Sequence, residues 1–274
     1  MARVEIDVRL GSTRLAAAHR AVRQGLQTPF DLSELRLEGR DPAAVELARR
    51  FWARRMEAEH RSVQVFTQLA LQLIEVNAPF DAKTVTLRMA EDELLHTEFC
   101  AEVLGALGAP PRIRTDPGFA PLARHPGCSP EERVLRNVLY TTCLSEMVAV
   151  ARLGASHEQS SDPGIRSAIR SLLSDEVMHG QFGFHYLDAM QPSAELRANL
   201  EKYLVHAFAV LEEELCGRSA GQAPIDADAV DLGVVDPAAA DEVFRVSVEE
   251  AIVPGLEARG LAAGRAWRKR RLLA

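Results

Sequence analysis

The chain has 274 residues, enough to bury a substantial core in one large domain or two small ones. Alanine, leucine, arginine and glutamate dominate and aromatics make up only 5%, a composition that favours helix. The net charge of -7 argues against a general nucleic-acid binder, and no apolar run approaches the roughly 20 residues that cross a bilayer.

The opening "MARVEIDVRLGS" lacks the apolar core of a signal peptide. Cys100, Cys128, Cys143 and Cys216 show neither CxxC spacing nor the density of a disulfide framework, so a reducing, cytoplasmic location is expected. They also offer no rubredoxin-type iron site and no zinc ribbon.

Along the chain, "VEIDVRL" alternates as a short isolated strand would, and a weak helix follows over 13–25. Asp41-Pro42 opens the first long helix, an N-cap followed by proline at the first helical position; it runs over about 42–76 and stops at Asn77-Ala-Pro79. Asp81 caps a second helix over about 82–107, closed by Gly108-Ala-Pro110. "GAPPRIRTDPGFAPLARHPGCSP" is then long, rich in proline and without period. Ser129 and Glu132 form a capping box for a third helix over about 130–158. Asp162-Pro163 opens a fourth over about 163–190, ending before Pro192; Ser193 caps a fifth over about 194–216, ending at Gly217. Asp236-Pro237 opens a sixth over about 237–253, with Pro254 as its stop. The tail "GRAWRKRR" reads as a solvated helix end; its rival reading is a contact for nucleic acid or an acidic partner.

Two of the connections are short, so the first and second helices form one antiparallel hairpin and the third and fourth another. A long structureless loop between hairpins is tolerated when it crosses over something. The expected architecture is all-α: a four-helix bundle with one long crossover over 42–192, an N-terminal extension over 1–41, and additional C-terminal helices with the basic tail over 193–274.

The second helix carries "DELLH" and the fourth "DEVMH". Positions i and i+3 share a helix face, so Glu93 and His96 point together, on the stripe of Val85, Met89, Cys100 and Val103. Glu176 and His179 likewise fall on the stripe of Ile165, Ile169, Leu172 and Leu187. Those are core faces, and a buried carboxylate without a partner costs several kcal/mol. Glu146 is the only charge in "VLYTTCLSEMVAVA". On the first helix, Glu59 continues through Val63, Phe66, Ala70 and Leu73 and is the buried glutamate. Glu57 leads to Gln64, Gln68 and Gln72, a polar stripe, and pairs with His60 at the surface. Glu91, Glu98, Glu102 and Arg88 read as solvated charges. Chance supplies about 0.04 copies of Asp-Glu-x-x-His in such a chain, so two on core faces demand an explanation.

Four carboxylates and two imidazoles converging in a core make a site for two divalent metals, the charges of ions and carboxylates nearly cancelling. The assigned ligands are Glu59, Glu93, His96, Glu146, Glu176 and His179. Asp92 and Asp175 lie one position off the ligand face and would each hold a histidine through its other ring nitrogen; their bland reading is a solvent-facing aspartate.

These residues resemble the ferritin-like di-iron carboxylate superfamily over about residues 42–190. "EHRSVQVF" followed by "DELLHTEFC" is similar to a bacterial ferritin-like branch. The resemblance implies two Fe ions, with Mn or mixed Mn/Fe as alternatives. It implies a non-heme, O2-activating oxidoreductase of oxygenase or hydroxylase type, acting on a small organic substrate. Electrons would come from a separate donor, since no flavin or nicotinamide motif appears, and a homodimer is compatible. A ferroxidase or metal-handling protein, or a dimanganese peroxide-consuming enzyme, is the alternative. Departures narrow the choice: the CxxC module of rubrerythrins is absent, and the chain is longer than a storage ferritin. His157 and His185 are badly placed for the extra histidine of arylamine N-oxygenases. Tyr140 and Tyr186 read as packing residues.

Overall fold

A computed structural model describes residues 4–8, 14, 30–115, 122–216 and 225–272. Helix accounts for 76% and strand for 3%, which makes the chain all-α, with eight helices among the described residues. They are α1 (Pro42–Glu75), α2 (Phe80–Ala106), α3 (Pro130–Gln159), α4 (Pro163–Met190), α5 (Ala194–Cys216), α6 (Ala227–Asp231), α7 (237–257) and α8 (Ala263–Lys269). The expected helix over 13–25 lies, but for position 14, outside the described residues, as does the expected stop at Gly217.

The helix starts follow from their caps. Asp41, Asp162 and Asp236 each accept a backbone N–H of the first turn, and a proline follows each where its missing N–H has no helical partner to lose. Ser129 accepts from the Glu132 amide in the same way. Asp81 is not the cap of α2: the helix begins one residue earlier, behind Pro79, and Asp81 sits in its first turn. At the ends of α1 and α2 the chain closes through Asn77 and Gly108 in left-handed conformation. Ala78 and Ala109 donate back to Leu73 and Leu104, satisfying carbonyls that the helix leaves open.

Two antiparallel hairpins, α1–α2 and α3–α4, pack together through α2 against α4 and α1 against the start of α3. The crossover between them lies along the polar stripe of α1. Glu57 accepts from the Arg114 amide, Gln68 from the Leu122 amide and Gln72 from the Asn137 side chain. Glu57 and Gln68 thus face the crossover, whose backbone donors need acceptors, while Gln72 faces α3. Within the crossover β2 (Arg112–Thr115) pairs antiparallel with β1 (Val4–Asp7), Val4 opposite Thr115, so the expected isolated strand has a partner. Helices α5, α7 and α8 pack on one another, α5 and α7 also pack on α3, and α6 packs on α1 and α3.

Two expectations are corrected at the C-terminal side. α7 runs through Pro254 to Glu257, because a π-helical segment, Val248–Ile252, precedes the proline. Its wider turn accommodates the missing N–H and the ring. The basic tail is solvated at Arg265, Arg268, Lys269 and Arg271, as expected, but Arg270 is docked: it is buried, makes two hydrogen bonds to the Glu212 carboxylate, and lies over the Trp267 ring.

By length and composition α3 is apolar enough to cross a membrane, which the sequence reading did not assign to any segment. Its neighbours account for that apolarity, since α1, α4, α5 and α7 all pack against it.

Candidate metal centre

The core falls into two apolar halves. One holds Trp52, Met56, Phe99, Leu104, Ile169 and Leu172; the other holds Phe66, Met89, Leu144 and Phe182. Along α1, α2 and α4 the change from one half to the other occurs around Glu59, Glu93–His96 and Glu176–His179. Charge thus lies between two greasy layers, which leave it little contact with water.

α3 reaches this layer through a π-helical segment, Leu139–Glu146, that ends on Glu146. The segment approaches α4 closely at two glycines. A side chain at Gly183 would overlap Thr142 Oγ1 and Cys143 Sγ, and one at Gly180 would come within 2.9 Å of the Met147 sulfur. Glycine on α4 and the wide turn on α3 together set how near Glu146 comes to Glu176. The sequence gives α3 an ordinary helical period, so the π segment was missed; the two glycines in mid-helix were its only signal.

The structure brings all six assigned ligands together. Donor atoms of Glu59, Glu93, His96 and Glu176 lie within 4.8 Å of one another, and so do those of Glu93, Glu146, Glu176 and His179. Glu93 and Glu176 belong to both groups. His96 Nδ1 is 3.3 Å from Glu176, 3.7 Å from Glu93 and 3.9 Å from Glu59. His179 Nδ1 is 3.1 Å from Glu176 and 3.3 Å from Glu93. Each Nε2 faces an aspartate of the opposite hairpin: His96 meets Asp175 and His179 meets Asp92, both at 3.4 Å. Asp92 is itself held by Arg88 at 2.6 Å.

Arg88 is therefore no ordinary solvated charge, and Glu98 is buried too. The spacing of Arg88 and Asp92, one helical turn apart, was the available signal. Both histidines are fully buried. His157 and His185 are not in either ligand group.

The donor set fits a metal. Both oxygens of Glu93 and the Nδ1 of His96 are buried with no hydrogen-bond partner. Leaving such groups unpaired is costly, so something electropositive belongs between them. The titration behaviour agrees. Burial first, then the charges of Glu93 and Glu176, push the Glu59 carboxyl up to about 8. Burial and the same two glutamates hold Glu146 well above the carboxylate range. Burial would neutralise the two imidazoles, but the carboxylates around them prevail. Asp92, Glu176 and Glu93 raise His179 to about 12, and Asp175, Glu176 and Glu93 raise His96 well above its ordinary value. Burial alone would raise Glu176, yet its contacts with His179 and His96 hold it below the usual range. Without cations, the layer collects protons to offset its own negative charge. A buried cluster of glutamates and histidines of this kind can hold a metal ion.

A pocket of about 400 Å³ opens onto Glu59, Glu146 and Glu176, with Phe51, Ala58, Val148, Ala149 and Leu215 as apolar wall. The arginines Arg54, Arg55 and Arg152 line it as well. Sequence reasoning missed all three, because Arg152 lies far along the chain from the neighbouring Arg54 and Arg55 and only tertiary packing brings them to one pocket.

Neither protein-family models nor curated proteins gave a match to this chain.

Proposed function

We propose that the chain is a non-heme di-iron oxidoreductase of the ferritin-like carboxylate class, which uses O2 to oxidise a small organic substrate with electrons from a separate donor. The observation that carries this reading is that Glu93 and Glu176 each belong to both ligand groups. Carboxylates common to two adjacent sites are what a pair of ions requires. Two hairpins joined by a long crossover support the ferritin-like arrangement, which has that connectivity.

Glu59 and His96 would hold one ion and Glu146 and His179 the other, with Glu93 and Glu176 serving both. Bound iron would supply redox electrons and open coordination positions for O2. The remaining work belongs to the chain. With metal bound, Asp92 and Asp175 would accept the Nε2–H of the imidazoles, fixing the tautomer that gives each Nδ1 lone pair to the ion. Arg88 anchors Asp92, so that support is itself supported. The apolar layers on both sides exclude water. The pocket favours oxidation of an organic molecule over ferroxidase or peroxide-consuming chemistry, since neither of those needs a roomy cavity with apolar walls beside the ligands.

The test is anaerobic loading with Fe(II), a metal count, and O2 uptake on mixing with air in the presence of a reductant. About two irons per chain and sustained O2 uptake are expected, both lost in Glu93→Ala. Iron that is oxidised once, without sustained uptake, would place the chain among metal-handling proteins.

A further inference from the structure

The pocket beside the ligands carries positive charge that the fold leaves unspent. Arg152 on α3 is only partly exposed; one of its nitrogens donates to the Leu215 carbonyl at 3.2 Å, and its buried Nε has no partner. Among the described residues no carboxylate lies in ion-pairing distance of it, and none pairs with Arg54. Arg55 reaches Glu59 at 3.4 Å and lies over the Phe51 ring, but Glu59 is an assigned metal ligand whose charge an ion would share. Arg55 is near enough for its charge to act on Arg152; Asp241 acts on Arg152 only from beyond ion-pairing distance. The three glutamates that line the same pocket are assigned metal ligands whose charge ions would take up, and a partly buried guanidinium such as Arg152 is then costly unless an anion completes it. Along α3, Val148 and Ala149 lie between Glu146 and Arg152, and Phe51 and Leu215 add apolar wall to the same pocket.

We propose that the pocket binds a carboxylate-bearing organic substrate, its acid held by Arg152 with Arg54 and its apolar body lying along Val148 and Ala149 towards the metal ligands. This rests on the di-metal reading of the same site and names its substrate class. A planar guanidinium fork matches a carboxylate through two parallel hydrogen bonds, and a monoanion suits Arg152, the partly buried arginine that has no acid partner.

The experiment is calorimetric titration of the anaerobic Fe(II)-loaded protein with 4-phenylbutyrate and with its neutral amide, after the bound iron has been counted. The acid is expected to bind about tenfold or more tighter than the amide. Arg152→Gln is expected to abolish that preference with iron content and thermal midpoint unchanged, and Arg152→Lys to keep part of it. Equal binding of acid and amide by iron-loaded protein, or a preference that survives in both Arg152→Gln and Arg54→Gln, would overturn the substrate class and leave the di-metal reading standing. Failure to retain iron would instead remove that reading, and this inference with it.

Discussion

Asp92 on α2 lies 3.4 Å from the Nε2 of His179 on α4, 87 positions away, and Asp175 on α4 stands in the same relation to His96 on α2. The two Asp-Glu-x-x-His segments thus support each other crosswise. Each hairpin supplies one histidine and the aspartate that orients the other's. The two aspartates differ in setting: Asp92 is buried and tied to Arg88, whereas Asp175 has a side chain 21% exposed.

Asp92→Asn is therefore expected to weaken metal binding about 10- to 100-fold, as loss of a ligand's outer partner does, and Asp175→Asn to weaken it less. Competition with a chromogenic chelator measures both. Equal affinity in all three proteins would show that the crosswise contacts do not orient the imidazoles.

In the metal-free protein Glu59 titrates at about 8, against an ordinary value of 4.5. Between those limits the folded chain binds more protons than the unfolded one, so stability falls as pH rises through that window. His179, raised from 6.5 to about 12, continues the loss upwards. Glu176, shifted down, acts in the opposite sense and gives up stability only as pH falls below its ordinary range. The thermal midpoint of the apo protein should decline from about pH 5 to 8, and metal loading at pH 7 should release protons. Calorimetry in buffers of different ionisation enthalpy reads that release. A flat apo profile together with no proton release would contradict the charge layer described above.

Gly183→Ala places a methyl group on Thr142 Oγ1 and Cys143 Sγ and 3.2 Å from the Cys143 amide. The backbone of the π segment can give way only by moving Glu146. The expected cost is about 2 kcal/mol in denaturant unfolding, accompanied by weaker metal binding. A substitution at Gly154, whose added carbon would meet nothing, serves as the control.

The docked arginine of the tail makes a different forecast. Arg270→Ala breaks a two-pronged contact with Glu212, whose own side chain is 36% exposed and partly screened. About 1–2 kcal/mol of stability should be lost, with metal content intact. Loss of metal in this variant would mean that α8 supports the centre directly.

Much of this was legible because it is local. Aspartate-proline pairs and the Ser129 cap announce helix starts wherever they occur, and a period of 3.6 places Glu59, Glu93, Glu146 and Glu176 on core faces. Pairing across the chain was not legible. The crosswise direction of the Asp–His contacts, the strand partner at Arg112–Thr115 and the arginines of the pocket depend on how hairpins pack. The π segment was hidden for another reason, since an extra residue in a turn leaves composition unchanged and shows itself only against a neighbour, here Gly183. Pro254 misled because a proline stops an α-helix but not one that has just widened. In the tail only Arg270 departed from the solvated reading, because it finds its acid on another helix.

The central claim is that Glu93 and Glu176 serve two metal sites at once. Crystals grown with Fe(II) under anaerobic conditions, measured at the iron absorption edge, test it directly. Two anomalous peaks about 3.5–4 Å apart are expected, with Glu93 and Glu176 contacting both. A single peak, or two peaks whose shared ligands are not these glutamates, would contradict it.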